Sequence, residues 1–242
     1  VRRRVVLALA LAAPLAGPPA AGAVTVYAAA SLRDVFPRID RRPSFDFAAS
    51  DQLQVQIERG APADVFASAA PAPARRLFRE GRCTRPVTFA TNRLVLLVPR
   101  SNPAHVHSVY TLRKGRRRVA LAARGVPVGD YTRQVLARMR LSSVLATNTV
   151  SEEPSVAGVV AKVALRSADA GFAYATDARI ARRRTSSIRL PRWAQPPVRY
   201  QLCAVRRPGA GTRGAQAFID RVVATPGRRL LRAAGFGLPP RG

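Results

Sequence analysis

Val24-Thr-Val-Tyr-Ala-Ala-Ala-Ser-Leu32 decides how this chain reads. Its first five residues are β-rich, and Ser31 follows at once, where a short helix over residues 32–39 opens despite Pro37. The same order then recurs. Ser44-Phe-Asp-Phe47 reads as a brief strand, and Ser50 opens a helix over residues 52–59 that Gly60 closes. Asp64-Val-Phe-Ala67 is a third strand, followed by a helix over residues 72–80 that Gly81 stops. Farther along, residues 93–99 and 118–121 read as buried strands. Tyr131, Val135, Leu136 and Met139 recur at helical spacing within residues 130–141. Residues 156–165 read as an apolar helix, 170–174 and 200–205 as strands, and 212–224 and 226–234 as closing helices. Alternation of this kind predicts an α/β fold with mostly parallel sheets.

Composition narrows the function classes. Of 242 residues, 48% are hydrophobic and 22% charged, enough apolar chain to bury a core and too much for disorder. Two cysteines, Cys83 and Cys203, are too few for a disulfide scaffold; two unrelated buried thiols are the expectation, with a Cys83–Cys203 bridge the alternative that an oxidising compartment would allow. No apolar run reaches the length of a membrane span. Lys and Arg number 41 against 13 Asp and Glu, a net charge of +28, and 39 of the 41 are Arg. Such a surface attracts anions of any kind. The near-exclusive use of Arg also fits a codon-composition bias, so charge is a weak guide to function.

The first residues read as an address. Arg2, Arg3 and Arg4 precede a short apolar stretch broken at Pro14, and Ala21-Gly-Ala23 supplies an A-x-A cleavage site. Residues 1–23 are therefore expected to be a signal peptide cleaved after Ala23. With no cysteine at that point, the expectation is an exported, soluble protein in the periplasm or extracytoplasmic space.

Catalytic signatures are missing from the sequence. There is no G-x-S-x-G elbow, Walker loop, zincin helix or G-x-G-x-x-G fingerprint. His105 and His107 form the one histidine pair, and a solvated loop after Pro99 suits them better than a metal site. Glu152 and Glu153 are adjacent, a spacing that makes a poor acid/base dyad. The expectation is no enzyme, no cofactor and no metal held by side chains. Nucleic acid is not an expected partner either, because aromatic stacking platforms are scarce at 6% of residues. What the pattern does offer is small-anion binding. Helix starts that follow strands present free N–H groups and a positive dipole end. Ser31, Ser50, the Val126-Pro-Val-Gly129 turn and Pro154-Ser-Val156 all stand at such starts.

These residues carry a resemblance. Val24–Leu32 as quoted, Phe47-Ala-Ala-Ser50, and Ile57-Glu-Arg-Gly-Ala-Pro-Ala-Asp-Val-Phe-Ala-Ser68 resemble the periplasmic molybdate-binding proteins of molybdate ABC transporters. So do Val126-Pro-Val-Gly-Asp-Tyr131 and Ala168-Asp-Ala-Gly-Phe-Ala-Tyr-Ala-Thr-Asp177. The match runs in order along nearly all of the chain after residue 23. It implies a two-lobe, hinged α/β fold that closes on molybdate or tungstate and delivers it, as a monomer, to a membrane permease. The lobes would be residues 24–91 plus 200–242, and residues 92–199. Carried over by motif, the ligand-binding residues are Ser31, Ser50 and Tyr174 by hydroxyl, and Val128 and Val156 by backbone N–H. The sequence departs from the family in a short, proline-containing segment between Ser31 and Ser50. It also has Val128 where Ala is usual and Ala157 where Arg often follows the Val. Sulfate or another small anion is the alternative ligand, and a basic, polyanion-binding surface protein the alternative class.

Overall fold

The computed structural model describes residues 24–208 and 212–239, and the expected leader with its cleavage point lies outside the described residues. In chain order the strands are β1 (Thr25–Ala29), β2 (Ser44–Ala48), β3 (Val65–Ser68), β4 (Val87–Asn92), β5 (Leu94–Pro99), β6 (Val119–Ala122), β7 (Thr149–Glu153), β8 (Ala170–Tyr174), β9 (Thr185–Arg189) and β10 (Val198–Ala204). The helices are α1 (Phe36–Ile39), α2 (Ser50–Glu58), α3 (Pro71–Arg79), α4 (Pro127–Arg138), α5 (Ser143–Thr147), α6 (Val156–Ala164), α7 (Ala175–Ile180), α8 (Thr212–Val223) and α9 (Thr225–Ala233).

The strands form two five-stranded sheets, ordered β2-β1-β3-β10-β4 and β7-β6-β8-β5-β9. Both repeat one plan. A central strand pairs in parallel with two others, β1 with β2 and β3, and β6 with β7 and β8. A reversed strand, β10 or β5, then lies antiparallel to both its neighbours. The expected mostly parallel sheets are thus mixed, with four strands running one way and one against them. Each reversed strand is the one that follows a passage of the chain between sheets. The first passage is short, from Asn92 to Leu94, and the second ends at Val198. Gln195 ties the two together, because its side chain accepts from Leu94 N–H (3.0 Å) and donates to Leu94 C=O (2.8 Å).

Local structure departs from the sequence reading where proline and edge positions intervene. The helix expected over residues 32–39 is instead a 3-10 turn at Ala30–Leu32 followed by the four-residue α1. Pro37 has no N–H to give to an ongoing helix, but in the first turn of a new one it lacks nothing. Phe36 anchors this short element. Its buried ring meets Phe218 at 5.4 Å and Phe89 at 5.8 Å between centroids. Arg221 of α8 and Arg42 both pair with Asp40 just after α1, and the hydrogen bond from Arg42 holds that carboxyl below its usual range. Strands β4, β7 and β9 escape the sequence reading, and all three are sheet edges. An edge strand such as Thr-Ser-Ser-Ile-Arg189 faces solvent on much of its surface and needs no apolar pattern.

Cys83 and Cys203 are both free and buried, and they pack in one small cluster with Phe66 and Leu77. They are neighbours, contrary to the expectation of unrelated thiols. Contact with Cys83, together with burial, pushes the Cys203 thiol pKa up. The pairing of Cys83 opposite Val205 brings them together, two residues along β10 and its continuation.

Candidate functional site

The parallel strands of both sheets send their carboxyl ends to one place. From the first sheet, β1 leads to Ser31, β2 to Ser50 and β3 to Ala69. From the second, β6 leads to Val126–Val128, β7 to Ser155 and Val156, and β8 ends at Tyr174. All of these residues line a single cavity of about 20 Å³. That exceeds the roughly 10–15 Å³ one water needs, so the cavity suits a ligand of a few heavy atoms and excludes a sugar or an amino acid. The five residues singled out from the sequence, Ser31, Ser50, Val128, Val156 and Tyr174, are brought together here although they span 144 positions.

Each is held differently. Ser50 begins α2, but its side chain does not cap that helix. Its Oγ accepts the Ala69 N–H at 3.0 Å, which pins the end of β3 and leaves the hydroxyl proton available. Ser31 does not cap its turn either, and its Oγ lies 2.9 Å from the Tyr200 hydroxyl. A plain capping role is thereby removed for both serines. Val128 is the second residue of α4, whose first residue is Pro127. Its N–H is one of the groups a helix start leaves without an internal partner. Arg133 braces that start by donating to Ala122 C=O (2.9 Å) and Gly129 C=O (3.1 Å) and pairing with Glu152 of β7. Gly129 is required there, because a Cβ would collide with the carbonyl oxygens of Ala122 and Ala123. Val156 opens α6, with Ser155 as its N-cap accepting from Gly158 N–H.

Tyr174 is the most telling. Its ring is 2% exposed, and its hydroxyl has no hydrogen-bond partner among the described residues. Burial raises its pKa well above the usual phenol value, so it remains a protonated donor. Its backbone is fixed by an N–H donated to the Asp177 carboxylate at 3.1 Å.

The electrostatics follow from what the lining lacks. Its residues are Ala, Ser, Val, Pro and Tyr, with no charged side chain. The hydroxyl-bearing Ser31, Ser50, Ser155 and Tyr174 and the starts of α2, α4 and α6 border the space, each helix adding its positive dipole end. The cavity therefore offers donors without a countercharge. An anion that accepts at every oxygen satisfies it, whereas one bearing an O–H meets a donor with a donor. Elsewhere, His105 and His107 are exposed in the loop after β5, and no group of three or more metal-ligating side chains occurs among the described residues. Two residues behind the cavity escaped the sequence reading, Tyr200 and Asn92. Their contacts with Ser31 and with each other span 169 and 108 positions, a separation that leaves no local pattern.

A family model described as bacterial extracellular solute-binding protein matches residues 24–237. The chain belongs to this family. It is a family of solute-binding proteins and not of enzymes. Among its relatives, the molybdate-binding protein ModA of Mycobacterium tuberculosis (strain H37Rv) is 34% identical over 235 residues, covering 93% of this chain and 88% of that protein. Solved structures agree on the fold. The Azotobacter vinelandii periplasmic molybdate-binding protein matches with a TM-score of 0.79 at 22% identity, over 90% of this chain and all of that one. The sulfate-binding protein SubI of Mycobacterium tuberculosis matches with a TM-score of 0.77 at 15% identity, over 88% and 85% of the two chains. The two-lobe α/β architecture of the family is thus the architecture of this chain.

Proposed function

We propose that this protein is an exported binding protein that captures molybdate, or its congener tungstate, and hands it to the permease of an ABC transporter. The observation that carries this reading is the cavity itself, lined from six strand ends, five of which bring a hydroxyl or helix-start N–H, with no charged side chain. Ser31, Ser50 and Tyr174 bind the oxyanion through hydroxyls, and Val128 and Val156 through backbone N–H groups. Hydrogen bonds to a charged partner are worth roughly 1.5–3 kcal/mol each, so five of them offset much of the anion's dehydration. The unpartnered Tyr174 hydroxyl finds its acceptor in the ligand. The binding unit is a monomer, with one lobe of residues 24–91 plus 200–242 and the other of 92–199. Opening about the two passages near Asn92 and Val198 admits the anion, a hinge motion.

Thermal unfolding of the purified protein with molybdate, tungstate, sulfate and phosphate in turn tests the reading. Ligand at about 100 times its Kd stabilises the fold by roughly 2.7 kcal/mol, a shift of several degrees. A shift with molybdate and tungstate that sulfate and phosphate do not produce is the expected result. An equal shift with all four refutes selectivity, since the Arg-rich surface then accounts for the binding. A sulfate-only shift assigns the cavity to sulfate, and no shift at all refutes an oxyanion site.

A further inference from the structure

Behind Ser31 lies a chain of hydrogen bonds that the binding reading does not use. Tyr200 is fully buried, with its hydroxyl 2.9 Å from Ser31 Oγ and 3.4 Å from Asn92 Nδ2. The orientation of the Asn92 amide is fixed by its own contacts. Its Oδ1 accepts the Arg93 N–H at 2.9 Å, so Nδ2 is the atom facing Thr176 Oγ1 (2.9 Å) and Tyr200. An amide nitrogen donates and cannot accept. Toward Asn92, therefore, the Tyr200 oxygen acts only as acceptor, and its proton has one remaining acceptor among the described residues, Ser31 Oγ. Once Ser31 accepts that proton, its own proton points away from Tyr200, and the cavity is what Ser31 otherwise faces.

We propose that Asn92 and Tyr200 are positioning residues whose one-way hydrogen-bond relay holds Ser31 as a donor to the ligand, so that the site takes oxyanions without a proton. Neither touches the cavity, since neither lines it. The relay rests on the oxyanion reading given above and adds the origin of its selectivity. It also links ligand to hinge. Asn92 is the last residue of β4 in the first sheet, at the first passage between sheets, and through Thr176 it holds α7, which directly follows β8 of the second sheet. Burial raises the Tyr200 pKa beyond the usual phenol range, so the relay keeps its proton across the neutral and mildly alkaline range.

The test compares molybdate with hydrogenphosphate in mildly alkaline solution, where both are dianions and only the second carries a proton. Titration calorimetry follows the wild type, Tyr200→Phe, Ser31→Ala and the double variant. Tyr200→Phe is expected to weaken molybdate about tenfold and to narrow the molybdate-to-hydrogenphosphate ratio, because the freed Ser31 oxygen can accept the ligand O–H. In the Ser31→Ala background the same change is expected to do almost nothing to either anion. Asn92→Asp is the second variant. Its carboxylate takes the Tyr200 proton and reverses the relay, so the ratio collapses further. Its added charge repels the two dianions alike and cancels from that ratio. An equal loss for both anions in Tyr200→Phe, or the same loss with Ser31 already replaced, overturns the relay and leaves Tyr200 a packing residue. A wild type that binds neither anion overturns the molybdate reading itself.

Discussion

Tyr174 and Tyr200 stack edge to face with centroids 5.8 Å apart, both almost wholly buried, yet the same substitution should move the two in opposite directions. The Tyr174 hydroxyl has no partner among the described residues, whereas that of Tyr200 is bonded to Ser31 and Asn92. A buried polar group left unpaired costs about 1–3 kcal/mol. The cavity beside Tyr174 is large enough for a water that recovers part of this, so about 1 kcal/mol is the gain expected from Tyr174→Phe in the ligand-free protein. For a chain of this size that raises Tm by roughly 2–4 °C. Tyr200→Phe breaks existing bonds and should lower Tm by about as much or more. With ligand the order changes. Losing a hydrogen bond to an anion costs roughly 1.5–3 kcal/mol, so Tyr174→Phe should weaken oxyanion binding about 10- to 150-fold. Calorimetric melting with and without molybdate, alongside direct titration, measures both effects. A Tyr174→Phe protein that is less stable than wild type without ligand and unchanged in affinity would refute the reasoning, because it would mean that the hydroxyl serves the fold.

Three further outcomes follow from particular residues. Gly129→Ala places a methyl against the Ala122 and Ala123 carbonyls, so it should displace the start of α4, cost on the order of 1–3 kcal/mol and weaken ligand binding, as denaturant melts and titration will show. Burial raises the Asp177 pKa to about 7. The folded state therefore holds a proton that the unfolded chain has released above about pH 4, and stability should fall as pH rises from there toward 7, with Asp177→Asn flattening that slope in melts recorded across the range. Finally, the net charge, +28 for the whole chain and +25 without the three Arg of residues 1–23, should speed anion association at low salt, while the uncharged cavity sets dissociation. Stopped-flow kinetics should show the association rate falling with salt and the dissociation rate nearly constant.

Much of this molecule is legible along the chain, and the reason is local. The β-rich Thr-Val-Tyr-Ala-Ala29 and the apolar Leu94–Pro99 announce strands by side-chain type, while Gly60, Gly81 and Gly235 mark helix ends with positive φ. Because ligands in such folds gather at strand ends, the order of strands and helix starts brought Ser31, Ser50 and the starts at Val126–Gly129 and Pro154–Val156 forward as candidates, whereas Tyr174 and the choice of Val128 and Val156 came from the family resemblance alone. Other features have no local cause. The reversal of β5 and β10 depends on where the chain passes between sheets, and the edge strands β4, β7 and β9 obey solvent exposure more than pattern. The contact of Cys83 with Cys203 depends on the pairing of Cys83 with Val205, across 122 positions.

The sequence by itself determined which residues carry donors and on which kinds of element they stand, because hydroxyls and helix starts are properties of short segments. Only the tertiary structure decided that six strand ends from two sheets close around a space of about 20 Å³ and that the Tyr174 hydroxyl is left without a partner there. It alone decided that Asn92 and Tyr200 stand behind Ser31. The directions in which protons point, and the size of the anion they can surround, arise from contacts between residues more than a hundred positions apart, which no local pattern encodes.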